Sequence, residues 1–119
     1  MSTSQINAIV INITLDGQNY PEWAFCVETA LRGVGFYFHL TDDPPARNPD
    51  GSNAAAIKTW EINDGKVMAA IVNSVKQTMI MSLHKFKRAK PMWSYLKQRY
   101  VQDSGALQHT LMQQLHVIE

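Results

Sequence analysis

The chain has 119 residues, which fits a single domain, and its 45% hydrophobic and 18% charged residues are typical of a globular protein. Its single cysteine, Cys26, excludes an internal disulfide and a zinc site built from cysteine pairs, so we expect a reducing, cytoplasmic location. No apolar run reaches the roughly 20 residues that cross a bilayer, and we expect no membrane partner.

The charges are distributed unevenly along the chain. Residues 1–64 carry eight Asp or Glu and three Lys or Arg, whereas residues 65–119 carry eight Lys or Arg and two Asp or Glu. No carboxylate occurs from Gly65 to Gln102. This asymmetry favours either an anionic partner or self-association in which one end of a molecule meets the opposite end of another.

The N-terminal part is predicted to be an extended segment over residues 1–14, followed by a helical lobe over residues 15–119. The segment is rich in β-branched residues and leads to a turn at Asp16-Gly17. A helix then begins at Asn19, which we predict to cap it through its side chain with Glu22 completing a capping box. Gly33 and Gly35 are expected to end this helix.

A loop and two further helices are predicted in the middle of the chain. Residues 41–53 contain three prolines and a glycine among several Asp and Asn residues, which is typical of a loop. A helix starts near Ser52 or Asn53 and runs past Val72, although Asp64 and Gly65 interrupt its apolar face. The short apolar stretch 76–83 is also predicted to be helical.

The C-terminal part is predicted to form two amphipathic helices. The first begins near Lys87 or Arg88, because Pro91 is tolerated only in a first turn. Its apolar stripe consists of Ala89, Met92, Trp93, Leu96 and Tyr100. The last helix is capped by Asp103 or Ser104 and carries its apolar face at Leu107, Leu111, Leu115 and Ile118. The whole pattern predicts an all-α, compact bundle of about five helices.

A basic segment, residues 85–90, occupies the start of the first of these two helices. It contains Lys85, Lys87, Arg88 and Lys90, although the partial positive charge of a helix N-terminus and mutual repulsion both oppose such an arrangement. We therefore expect an anion or distant carboxylates to lie over it, from the same chain or from a neighbour. The loop supplies Asp42, Asp43 and Asp50 as candidates.

No catalytic or cofactor motif is recognisable. The chain lacks a nucleophile elbow, a phosphate-binding loop and a zinc-protease signature, and its histidines have no metal-ligand spacing. We interpret His39, His84, His109 and His116 as structural or solvent-exposed residues. The sequence thus favours a protein that is not an enzyme, with no cofactor and no small-molecule substrate.

The aromatic residues are expected to serve mainly in packing. Trp23, Trp60 and Trp93 each lie among aliphatic residues of a predicted helix, and we expect them to fill one core. Three successive aromatics, Phe36 to Phe38, cannot all face inward, so at least one should be exposed, as an interface anchor would be. Cys26 is expected to pack in the core or at its boundary.

An ordered set of motifs in this sequence resembles a known family. The opening pattern L-x-G-x-N-Y-x-x-W is present as Leu15, Gly17, Asn19, Tyr20 and Trp23. "WEINDGKVMAAIVNSV" supplies a W-x-x-x-D helix that starts at Trp60, and "FKRAKPMWSYLKQRYVQDSGALQHTLMQQLHVI" supplies an A-K-x-M-W-x-x-L helix and a Leu-rich helix. Together they resemble the Gag protein of copia-type retrotransposons.

The resemblance implies an all-α, capsid-like N-terminal lobe with a structural role in particles that package RNA. In the family a second helical lobe follows, and then a zinc knuckle that holds nucleic acid. This sequence has one cysteine and so does not contain the knuckle. Pro91 and Gly65 depart from the helix formers usual in the family, which is compatible with a domesticated copy or with an excised fragment.

These observations lead to one main hypothesis and two alternatives. The main hypothesis is a non-enzymatic scaffolding domain that associates with itself or with another protein through the basic segment and the acids of the loop. One alternative is a small module that binds RNA weakly through the basic segment. The other is a protein-binding adaptor that uses the exposed aromatics near residues 36–38.

Overall fold

The computed structural model of the chain describes residues 9–101, and within that range its regular structure is helical. The elements in chain order are α1 (Tyr20–Val34), a 3-10 turn (Tyr37–Leu40), α2 (Ala54–Val72), α3 (Gln77–Ile80) and α4, whose described part spans 89–101. The prediction of an all-α fold is confirmed. The helix predicted after Asp103 lies outside the described residues.

Helix α1 ends where the sequence predicted, at Gly35. This glycine has φ 82° and ψ 18°, the left-handed conformation that residues with a Cβ adopt at a cost. The Gly35 N–H donates to Arg32 O at 3.2 Å, and the Phe36 N–H donates to Leu31 O at 2.8 Å. These two bonds satisfy the last carbonyls of the helix, whereas Gly33 lies within it.

The predicted capping box at the start of α1 is wrong. Asn19 is the residue before the helix, but its side chain makes no capping bond. Its Oδ1 instead accepts a hydrogen bond from Asp16 N at 3.0 Å, and its Nδ2 donates to Thr14 O at 2.9 Å. The Asn19 side chain therefore stabilises the turn that precedes the helix. That turn offers a backbone donor to the amide oxygen and a backbone acceptor to the amide nitrogen.

The core is assembled from one apolar face of each long helix. Its fully buried members include Trp23, Val27 and Leu31 of α1, Val67 and Ile71 of α2, and Met92 and Leu96 of α4. Ala89, Trp93 and Tyr100 complete the predicted stripe of α4. All five stripe positions are buried, which confirms the helical periodicity that was inferred for this segment.

Tryptophan pairing occupies the middle of this core. The rings of Trp23 and Trp93 lie 5.4 Å apart, and Tyr20 lies within 6.3 Å of both. The Trp23 indole N–H donates to Ser74 Oγ at 3.0 Å, which satisfies its only polar group. Trp60 was expected in the same core, and that prediction is wrong: it is half-buried and packs on His39 at 4.8 Å.

Leu15, which precedes α1, pairs with the segment that follows α2. Leu15 is fully buried and pairs in parallel with Val75, with Leu15 N donating to Ser74 O at 2.8 Å and Lys76 N donating to Leu15 O at 3.0 Å. The following Gly17 has φ 97°, so the turn into α1 uses a backbone conformation suited to glycine.

Candidate functional site

The buried carboxylate of Asp64 joins three elements of the fold. Asp64 lies in the middle of α2 and is 3% exposed. Its Oδ1 lies 2.9 Å from Nδ1 of His39, in the 3-10 turn, and its Oδ2 accepts a hydrogen bond from the backbone N–H of Ala89 at 3.0 Å. Because Ala89 is the first residue of α4, this carboxylate holds the start of that helix.

The His39 ring is held by one hydrogen bond and two ring contacts. Its ring lies 4.8 Å from the ring of Trp60 and 5.7 Å from that of Phe36, which meets it edge-on. Its Nδ1–H donates to the Asp64 carboxylate, the acceptor in reach. Within residues 9–101, no buried side-chain nitrogen or oxygen lacks a partner. His39 is therefore a packed residue that ties the 3-10 turn to α2.

The same carboxylate explains how the basic segment is tolerated at the start of α4. The free N–H groups of a helix start carry partial positive charge, and a carboxylate there contributes about 0.3–1 kcal/mol, or up to about 2 kcal/mol when partly buried. Asp64 supplies that negative charge at the buried side of the helix start. Pro91 falls within the first turn, where a missing N–H removes no helical bond.

The residues of the basic segment have different surroundings. Lys90 Nζ donates to Asp43 Oδ1 at 2.8 Å. Lys85 places its ammonium 5.3 Å from the ring centre of Phe86 and 5.2 Å from that of Tyr95. Arg88 is half-buried, and its positive charge helps to lower the pKa of the Asp43 carboxyl. Lys87 is exposed, and within residues 9–101 no carboxylate lies within 4 Å of its ammonium.

The three acidic residues of the loop differ in their hydrogen-bond partners. The bond and charge of Lys90, aided by Arg88, lower the pKa of Asp43. Asp50 accepts a hydrogen bond from Ser52 N at 2.9 Å, which lowers its pKa, and Asp42 accepts one from the hydroxyl of Thr41 at 2.9 Å. The structure thus brings Asp43 together with Lys90 and Arg88, while Asp42 and Asp50 bond to groups of the loop itself.

Sequence reasoning missed the role of Asp64 and His39. Asp64 was interpreted as an interruption of the apolar face of α2, yet its position four residues after Trp60 and three before Val67 lies on the buried face. A carboxylate at a core position needs a buried partner. That signal identifies the residue as paired, but nothing local identifies the partners, which lie 25 residues away on either side.

A small aromatic surface lies beside this network. Phe38 is 65% exposed, and its ring meets that of Tyr37 edge-on at 5.7 Å. The guanidinium of Arg32 lies 4.5 Å from the ring centre of Tyr37. The prediction that at least one of the three successive aromatics faces solvent is confirmed. Cys26, on α1, is half-buried and carries a free thiol.

Within residues 9–101, no group of three or more His, Cys, Asp or Glu is arranged to hold a metal ion. No helix in the same range combines the length and the apolar character that spanning a bilayer would require. His109 and His116 lie outside that range.

A family profile matches most of the chain. Residues 27–119 match the profile of the family described as the gag-polypeptide of LTR copia-type. Neither the curated proteins nor the solved structures gave a match to the chain. The matched range includes α2, α4, the acidic residues of the loop and the basic segment, and it covers most of the sequence. The chain therefore belongs to the copia-type Gag family.

Proposed function

We propose that this chain is a non-enzymatic structural domain that acts through contacts with further copies of itself. Copia-type Gag proteins form a structural, non-catalytic family, which supports the general role. The lobe would comprise residues 15–119, with residues 1–14 as an extended segment before it. We also propose a cytoplasmic location, where the free thiol of Cys26 would stay reduced.

The observation that carries this proposal is the pair of unmatched charged surfaces. In residues 9–101, Lys87 of the basic segment and Asp42 and Asp50 of the loop form no ion pair, and all three are exposed. A surface of one sign on one copy can therefore meet the opposite sign on another. A reciprocal contact of this kind closes as a twofold dimer, and a head-to-tail contact closes into rings or continues as a lattice.

Sedimentation velocity over a wide concentration range, at low and at high salt, tests this proposal. We expect oligomers that grow with protein concentration and dissociate when salt screens the charges. The double substitution Lys87→Glu with Arg88→Glu should weaken association at low salt. Lys58→Glu with Lys97→Glu makes the same change in net charge outside the basic segment and should leave association intact. A wild-type monomer at every concentration would contradict the proposal.

Weak binding of RNA is a second candidate, which one specific observation favours. Lys85 lies over the half-buried rings of Phe86 and Tyr95, so this surface combines a cation with aromatic faces. Cationic and aromatic groups together are typical of surfaces that bind single strands. Retardation of a labelled single-stranded RNA at low salt, lost in Lys85→Ala and Lys87→Ala, would support this function. No retardation of RNA would exclude it.

An adaptor role is the third candidate, supported by the exposed aromatic ring of Phe38. Aromatic side chains are common anchors in the centres of protein interfaces. Here a partner protein would cover Phe38 and Tyr37. If Phe38→Ser leaves self-association unchanged but removes binding of a partner, the adaptor function gains support. The self-association proposal predicts instead that Lys87 and Arg88, and not Phe38, govern the behaviour of the purified chain.

A further inference from the structure

We propose that two copies of this chain exchange one ion pair, so that Asp43 of each copy bonds to Lys90 of the other. This inference rests on the proposed function of self-association and names the contact through which it occurs. In the single chain the same two residues bond to each other, with Lys90 Nζ 2.8 Å from Asp43 Oδ1. The exchange replaces the two internal bonds, one in each copy, with two identical bonds across a twofold axis.

The internal pair is suited to exchange because it is open to solvent. The side chains of Lys90 and Asp43 are 37% and 76% exposed. An exposed pair of this kind contributes little to stability, since water and salt compete with it. The carboxylate of a second copy can reach Lys90 without entering the core. Nothing in the packing of α4 therefore depends on which copy provides the acid.

The construction of the loop points to the same conclusion. Asp42 N donates to Phe38 O at 2.8 Å, which fixes the loop at its first end. At the other end, Asn53 closes the loop on itself through bonds to Ala46 O at 2.8 Å and from Asn48 N at 2.9 Å. Between these two anchored regions lie Asp43, Pro44 and Pro45.

This short stretch is held to the bundle mainly through its acid. Within residues 9–101, residues 43–45 make no backbone hydrogen bond, and their polar contact to another element is the bond of Asp43 to Lys90. Two successive prolines restrict φ and keep the stretch extended. Extended, restricted segments lose little further entropy when they bind, which favours a loop that docks on a neighbour.

The charges around the contact suit a second copy of the same chain. Lys90 and Arg88 both act on Asp43, so the acid faces two cations of the basic segment. Lys87 stands next to them, exposed and without an ion pair among the described residues. An incoming loop brings Asp42 together with Asp43. It therefore carries a second carboxylate to the basic segment, in which the cations outnumber the carboxylates. The loop and the basic segment are thus self-complementary.

Charge-swapped variants test the exchange directly. Asp43→Lys places cations at positions 43 and 90 of one chain. Lys90→Asp places carboxylates at the same two positions. Neither variant can form the pair within itself or with an identical copy. In an equimolar mixture, both contacts between the two variants join opposite charges. We expect each variant alone to sediment as a monomer at low salt and the mixture to form a heterodimer, with a dissociation constant at least tenfold below that of either variant alone.

Matched controls separate the contact from general charge attraction. Asp42→Lys changes the net charge as Asp43→Lys does, but its mixture with Lys90→Asp should gain much less association. The double variant with Asp43→Lys and Lys90→Asp restores the internal pair and should behave as the wild type does. Circular dichroism of each variant checks that the helices are retained.

Three results would overturn the exchange, and they differ in what they say of the proposed function. If the wild type associates but the mixture is no tighter than its components, the exchange is wrong and self-association occurs through another surface. If neither the wild type nor the mixture associates, both proposals fail. A mixture in which Asp42→Lys complements Lys90→Asp equally well would also overturn the assignment to Asp43.

Discussion

Asp64 and Ala89 are 25 residues apart in sequence, yet the carboxylate of one lies 3.0 Å from the backbone nitrogen of the other. The same carboxylate contacts His39, so one side chain joins α2, the 3-10 turn and the start of α4. The start of α4 also carries the basic segment. The geometry of the charged surface therefore depends on a buried group that does not itself reach the solvent.

Removal of the Asp64 carboxylate should destabilise the domain strongly. Asp64→Leu keeps the approximate size but leaves the Ala89 N–H and the His39 ring N–H without an acceptor, and we expect a loss of about 3 kcal/mol in the free energy of unfolding. Asp64→Asn retains one acceptor and should lose only about 1 kcal/mol. Urea unfolding followed by tryptophan fluorescence measures both. Asp42→Asn, on the exposed loop, is the control and should change stability by less than about 0.5 kcal/mol.

Loss of the buried hydroxyl of Ser74 should also be costly. Ser74 Oγ accepts the indole N–H of Trp23 at 3.0 Å and donates to Ile71 O at 3.1 Å. Ser74→Ala leaves the indole N–H buried without a partner, so we expect a loss of about 2 kcal/mol. Ser82→Ala removes an exposed hydroxyl that bonds to Met79 O and should stay within about 0.5 kcal/mol of the wild type. Equal effects of the two substitutions in urea unfolding would contradict this account.

Two glycines should respond with opposite signs to the same substitution. Gly17 has φ 97°, and a Cβ there would lie 3.6 Å from atoms of Met79 and Tyr100, so Gly17→Ala should cost about 1–2 kcal/mol from backbone strain. Gly65 lies inside α2, and a Cβ there meets nothing within 4 Å. Gly65→Ala should therefore raise stability by up to about 1 kcal/mol, the difference in helix propensity. Thermal unfolding of the two variants beside the wild type provides the test.

Tyr20 should make stability depend on pH in the alkaline range. Burial, reinforced by the nearby charge of Glu28, raises the pKa of Tyr20 from 10.0 to about 12. The folded state favours the neutral phenol. The contribution of the neutral Tyr20 to the free energy of unfolding is therefore fully present below pH 10.0 and is lost as the pH rises through about 12. The free energy of unfolding of the wild type should therefore fall relative to that of Tyr20→Phe over that interval. Absorbance of the phenolate follows the titration, and a Tyr20 that ionises at its ordinary pKa would contradict the prediction.

Much of the helical framework could be predicted from local patterns. The apolar stripe of α4, the end of α1 at Gly35 and the loop over residues 41–53 all follow from spacing, glycine geometry and proline content. Each of these signals acts within about one or two helical turns, so the sequence contains it without reference to the rest of the fold. The capping role of Asn19 failed because a competing local partner, the preceding turn, offered its amide better bonds.

The sequence by itself therefore determined the helices, most of the core face of each and the excess of cations in residues 85–90. Only the tertiary structure decided that Asp64 lies beneath that segment, that Trp60 packs on His39 outside the main core, and that Asp43 is the acid that reaches Lys90. These contacts join residues 21 to 47 positions apart. Their partners are selected by how the helices pack against each other, and helix packing depends on the summed burial of many side chains at once.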